Sequence, residues 1–117
     1  DHGYDIPDDG LYTTAAYYNA HKDTSVRFAR ASRRGWEWCH SHPDEALEIV
    51  MDYVNRHKVS TNRVIQKLML REILRLQKDK TGKTPFKLYK EEVELANRLM
   101  VECGFIDRQT HYNDIVR

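Results

Sequence analysis

Cysteine is scarce. The 117 residues hold two, Cys39 and Cys103, far apart and in no repeated spacing. That excludes a disulfide scaffold and a zinc framework. Both fall on apolar helical stripes, so two buried free thiols are expected rather than one disulfide. Long hydrophobic runs are missing too: none approaches the ~20 residues that span a bilayer as a helix. Nor is there an excess of one charge. Lys+Arg is 19 and Asp+Glu is 18, for a net charge of +1, without the basic surplus of a dedicated nucleic-acid protein. No repeat or low-complexity segment is visible, and the opening DHGYDIPDDG is acidic and polar, without a signal-peptide pattern. The length suits one domain with one core.

What is present reads as helix. Charged residues make up 32% and apolar residues 40%, as in a helix-rich protein. Residues 1–10 combine Gly3, Pro7 and Gly10 with four aspartates, which is loop chemistry. LYTTA from Leu11 is short and rich in β-formers and predicts a strand over 11–16. AAYYNAHKD suits a short helix ending near His21. A long helix follows over about Thr24 to His40, capped by Thr24 or Ser25. On it Phe28, Ala29, Ala31, Ser32, Gly35, Trp36 and Cys39 share one face, and Arg30, Arg33, Arg34 and Glu37 share the other. Trp38 sits on the boundary, four residues after Arg34, where a cation–π contact is feasible. Gly35 in the apolar face predicts a closely packed neighbouring backbone.

Pro43, with Asp44 and Glu45 behind it, starts the next helix, whose stripe is Ala46, Leu47, Val50 and Val54. Ser60 or Thr61 caps a third, marked by Ile65, Leu68, Met69, Ile73 and Leu76. KTGKTP is a loop. A last long helix runs from about Tyr89 to Cys103 and stops at Gly104, with Phe105 folding back; THYNDIVR adds a final turn. The fold class is therefore mainly α, with four main helices and one short strand.

No chemistry-bearing pattern survives inspection. His40 and His42 flank Ser41 after Cys39, but ligands two apart do not face one way on a helix, and no HExxH or paired CxxC occurs; no metal or cofactor is expected. TGKT around Gly82 resembles the end of a phosphate loop, yet Gln77 stands where the pattern needs its first glycine. Serines and threonines sit in no nucleophile-elbow context, so no catalytic residue is assigned and an enzyme is not expected. The arginines of 27–34 beside two tryptophans raise a nucleic-acid interface, but Trp36 points to the apolar face and a solvated basic face is the simpler reading.

Several elements in order carry a resemblance. DHGYDIPDDGLYTTAAYYNAH followed by VRFARASRRGWEWCHSHPDEALEIV resembles the C-terminal part of type-II periplasmic solute-binding proteins, in the branch for alkanesulfonate, nitrate and thiamine-pyrimidine precursors. Phe28, Ala31, Gly35, Trp36, Pro43, Glu45, Ala46, Ile49 and Val50 fit that group's helix–proline–helix pattern, and ANRLMVECGFI resembles its closing helix. One departure is His42, where the group often has Asn before the proline.

The resemblance implies that residues 1–117 form a single C-terminal helical segment of one lobe in an α/β two-lobe fold: an acidic loop at 1–10, a crossover strand at 11–16 and helices from 24 onward. It implies a solute-binding component of an ABC transporter that is periplasmic or otherwise extracytoplasmic. Its partners would be a small-molecule ligand and a permease, with no nucleic acid and with self-association possible for the isolated segment. Tyr4, Asp5 and Tyr12 are the ligand-binding candidates. Two other roles stay open: the ligand-sensing ectodomain of a membrane-bound signalling protein, and a helical interaction or nucleic-acid module.

Overall fold

A computed structural model of the chain describes residues 10–79 and 81–116. Among them the regular structure is all helical: α1 (Ala15–Ala20), α2 (Lys22–Ser41), α3 (Pro43–Arg56), α4 (Arg63–Leu76), α5 (Lys90–Glu102) and α6 (Tyr112–Ile115). The four long ones are those expected. The chain divides into two compact units, Thr13–Phe86 and a second made of Asp1–Tyr12 with Lys87–Arg117.

The strand expected over 11–16 is not formed. The Tyr17 N–H donates to the Thr14 hydroxyl at 3.2 Å, which makes Thr14 an N-cap and starts α1 at Ala15. Among the described residues no strand exists with which Leu11–Thr14 could share a ladder, and an isolated strand leaves its backbone groups unpaired.

In the unit Thr13–Phe86, α3 is central and packs on both α2 and α4. Pro43 occupies the first turn of α3 beside Asp44 and Glu45, where a missing N–H costs nothing and carboxylates meet the positive helix end. His42 closes α2 and opens α3: its N–H donates to the Trp38 carbonyl, and its own carbonyl accepts from the Ala46 N–H, both at 2.9 Å. The core of this unit is small. Ala46, Leu47 and Val54 are its buried apolar residues, with Leu47 only 1% exposed. Between α3 and α4 the Arg63 guanidinium holds the Glu48 carboxylate, with one bond at 2.9 Å, and Lys67 faces Asp44 at 3.6 Å.

Helix ends follow local chemistry, with two departures from the sequence reading. Asn62, rather than Ser60 or Thr61, caps α4, accepting from the Ile65 N–H at 3.0 Å. Neither Thr24 nor Ser25 caps α2, which starts two residues earlier at Lys22; Ser25 instead donates to the His21 carbonyl. Helix α3 stops on Lys58 at φ 51, with the Val59 N–H returning to Val54 and the Lys58 N–H to Asn55. Helix α5 stops the same way on Gly104 at φ 72, with Phe105 N–H to Met100 and Gly104 N–H to Val101. Both are left-handed terminations that satisfy the last carbonyls, a conformation glycine adopts without the side-chain clash that lysine meets.

In the second unit α5 and α6 pack together. Val93 is buried, and Asn97 beside it is buried and polar. Its amide brackets the Thr110 backbone: Nδ2 donates to the Thr110 carbonyl at 2.7 Å, and Oδ1 accepts from the Thr110 N–H at 3.0 Å. Tyr112 adds a hydroxyl bond to the Leu88 carbonyl at 2.8 Å.

Candidate functional site

The three sequence candidates fare differently. Tyr4 and Asp5 lie outside the described residues. Tyr12 stands in the segment before α1 and is 96% exposed.

An open apolar groove of about 410 Å3 lies in the unit Thr13–Phe86. Helix α2 contributes Ser32, Gly35, Trp36, Trp38 and Cys39. Helix α3 supplies Ala46, Ile49 and Val50, and α4 supplies Leu70. The apolar face of α2 thus does turn toward α3, and Trp36 is half-buried in it. The burial is shallower than expected: α2 has no fully buried residue, Phe28 is 62% exposed, and the groove begins only at Ser32. The close backbone neighbour expected at Gly35 is also absent, since a Cβ placed there would meet nothing within 4 Å.

Cysteine is a second correction. Both thiols are free, but Cys39 is half-buried in the groove and Cys103 is exposed. Cys103 follows the last residue of α5 as its C-cap, where the stripe has run off the packed face. Partial burial pushes the Cys39 thiol up from its ordinary value, against a smaller backbone hydrogen-bond effect, so it is a weak nucleophile.

Arginines form the opposite face of α2. Arg27, Arg30, Arg33 and Arg34, with Ala31 and Glu37, surround a shallow open depression. Arg27 pairs with Asp23 at 3.6 Å and Arg33 with Glu37 at 2.8 Å. The cation–π contact is made by Arg33 over the Phe86 ring at 5.7 Å. Trp38 instead stacks on the His42 imidazole, with centroids 4.8 Å apart and planes 8° from parallel.

His40 and His42 are engaged in hydrogen bonds at the end of α2. The His40 Nε2 lies 3.0 Å from Gln77 Oε1 and 3.5 Å from Thr84 Oγ1, joining the end of α2 to the segment after α4. The His42 Nδ1 is shared between the Ser41 hydroxyl at 2.9 Å and the Trp38 carbonyl at 3.1 Å. Among the described residues no three His, Cys, Asp or Glu side chains gather as metal ligands, and no helix is long and apolar enough to cross a membrane. The TGKT loop carries its own anion. Asp79 Oδ1 accepts from the Thr81 N–H at 2.8 Å, the Thr81 hydroxyl at 2.6 Å and the Lys83 N–H at 3.0 Å. Chiefly through the Thr81 hydroxyl, these bonds hold the Asp79 carboxyl below the usual range. The donors a phosphate would need are already engaged. What the described geometry offers is apolar contact flanked by charge, which suits binding.

Comparison with known proteins gives one match. Residues 1–46 match the model of a family described as NMT1/THI5 like, a family of binding proteins. The matched stretch ends at Ala46, three residues into α3 after Pro43, and so includes all of α2. No curated protein and no solved structure matches.

Proposed function

We propose that this chain is a segment of a small-molecule-binding protein, the C-terminal helical part of a two-lobe solute binder. The observation that carries this reading is the NMT1/THI5-like match over residues 1–46. It takes in Phe28, Ala31, Gly35, Trp36, Pro43, Glu45 and Ala46, residues on which the resemblance to periplasmic binders also rests. The helix–proline–helix that those residues build, with Trp36 turned toward α3, is consistent with a lobe wall. On this reading the protein works outside the cytoplasm and passes its solute to an ABC permease. It is not an enzyme. Closure of two lobes on the solute supplies the signal the permease reads. Tyr4, Asp5 and Tyr12 are the proposed ligand contacts of this segment, through ring stacking and carboxylate hydrogen bonds; all three fall within the matched stretch.

The test is a thermal-shift screen of the complete protein that carries this chain, against pyrimidines, sulfonates and nitrate. Specific binding raises Tm progressively with ligand, by about 2.7 kcal/mol of stabilisation at a hundredfold excess over Kd. Tyr12→Ala should weaken the response to that solute. No shift with any of these classes up to about 1 mM, where binding is worth only ~4 kcal/mol, would contradict the proposal.

A further inference from the structure

Basic charge is gathered on α2. The helix carries five basic residues, Lys22, Arg27, Arg30, Arg33 and Arg34, against two acidic ones, Asp23 and Glu37. That is +3 on one helix of a chain whose net charge is +1, so the rest of the chain is net acidic. The four arginines line one shallow depression of about 660 Å3, on the side of α2 away from the apolar groove. Two of them are already committed. Arg27 pairs with Asp23 at 3.6 Å. Arg33 is pinned from two sides, by the Glu37 carboxylate at 2.8 Å and by the Phe86 ring, whose centroid is 5.7 Å from its guanidinium. Arg30 and Arg34 are exposed and make no ion pair among the described residues. They lie one turn apart on one side of the helix, ~6 Å along its axis. Like charges at that spacing destabilise a helix, a cost that a bound anion removes.

We infer that this depression docks an acidic polypeptide segment, with carboxylates held by Arg30 and Arg34. A guanidinium presents parallel N–H donors that match the two oxygens of a carboxylate. The chain makes the same contact between its own helices, where both terminal nitrogens of Arg63 meet the two oxygens of Glu48. Other polyanions fit less well. Single-stranded nucleic acid uses free ring faces beside its phosphate contacts, but Arg33 lies over Phe86 and Trp38 is stacked on His42. A lipid surface takes up apolar side chains that project along with the cations, and here Ala31 is the one apolar residue among those lining the depression. Glu37 shares the depression. A polypeptide can set a neutral or basic side chain against it, which an unbroken row of phosphates cannot. This surface stands apart from the proposed solute contacts, because it uses none of Tyr4, Asp5 and Tyr12.

The experiment is fluorescence anisotropy of the full chain titrated into a labelled, capped, alanine-rich peptide with a glutamate at every fourth position, the spacing of Arg30 and Arg34. Saturable binding is expected, with Kd below about 1 mM at low salt. It should weaken as salt rises and vanish when glutamine replaces glutamate in the peptide. Arg30→Glu/Arg34→Glu, checked for retained helix by circular dichroism, should weaken binding about tenfold or more. Arg30→Lys/Arg34→Lys keeps the charge but not the planar fork and should weaken it about threefold or more; it carries the test if the glutamate variant loses helix. Arg98→Glu/Arg108→Glu makes the same change in net charge at exposed positions outside α2 and should leave Kd within about twofold. No saturation up to about 1 mM would overturn the docking. So would an equal loss in the Arg98/Arg108 variant, or a lysine variant that binds as tightly as the parent. Tighter binding of a single-stranded oligonucleotide, or of phosphatidylglycerol vesicles, lost on Arg30→Glu/Arg34→Glu, would show that a polypeptide is the wrong occupant.

Discussion

Leu47→Ala removes the side chain on which the unit Thr13–Phe86 is centred. Leu47 is 1% exposed, and the other buried apolar residues of that unit, Ala46 and Val54, lie on the same helix. Buried Leu→Ala changes cost about 2–5 kcal/mol, the spread reflecting how far the site collapses. Here α3 is walled on one side by an open groove, so neighbouring side chains have room to relax, which places the cost at about 2–4 kcal/mol. In a unit of this size each kcal/mol moves Tm by roughly 4–8 °C, so a fall of roughly 10–25 °C is expected. Urea unfolding followed by circular dichroism at 222 nm measures the same loss as a shift in midpoint. Ile49→Ala is the control: two residues further along α3 but 62% exposed, it should cost under ~1 kcal/mol. If the two variants lose equal stability, or if Leu47→Ala loses under ~1 kcal/mol, the packing of α3 described above is wrong.

Lys58→Gly relieves a left-handed lysine at φ 51 where α3 terminates; it should raise stability by about 0.5–1 kcal/mol, and a lower urea midpoint would contradict that termination. Asn97→Ala deletes both hydrogen bonds to Thr110. A loss of about 1–3 kcal/mol is expected, together with faster hydrogen exchange at the Thr110 amide; unchanged exchange would show that the bracket does not hold the segment. Glu48, Glu72 and Asp79 are held below the usual carboxylate range, first by hydrogen bonds from Arg63, Arg75 and Thr81 respectively. Their folded pKa values lie below the unfolded ones, so their stabilisation is present above the unfolded pKa and is lost as pH falls through the folded one. Tm should therefore drop on acidification into and below that range, and Glu48→Gln with Asp79→Asn should flatten the drop; an unaltered acid limb would refute the link.

Helix identity was legible in the sequence because period and punctuation agreed. Pro43 with two carboxylates behind it, and Gly104 after an apolar stripe, mark boundaries that hold within a residue or two. LYTTA misled because β-propensity expresses itself only where a ladder exists, and Thr14 found a local bond instead. The ending of α3 at Lys58 gave no glycine signal. Asn97 looked like a polar helix position, since the Thr110 backbone it brackets is thirteen residues away. Periodicity located the apolar faces but not their depth. On α4, Ile65, Leu68, Met69 and Leu76 recur at helical spacing yet are 45–70% exposed, because depth depends on what lies opposite, and α3 meets the other side of that helix. The groove was half-read for the same reason. Its α2 wall stood out as Gly35, Trp36 and Cys39, while Ile49 and Leu70 joined it only through tertiary packing. The local sequence around Tyr4 and Asp5 carried little beyond loop chemistry, and Tyr12 lay in the segment read as a strand.

All of the packing described for the unit Thr13–Phe86 depends on the direction α2 faces. The most direct measurement is the difference in urea midpoint between Trp36→Ala and Arg30→Ala. With the indole half-buried against α3 beside an open groove, Trp36→Ala should cost about 2–3 kcal/mol, below the ~3–5 of a fully buried ring, while Arg30→Ala on the solvated face should stay within ~0.5 kcal/mol of the parent. Equal losses, or a larger loss at Arg30, would mean that α2 is turned the other way.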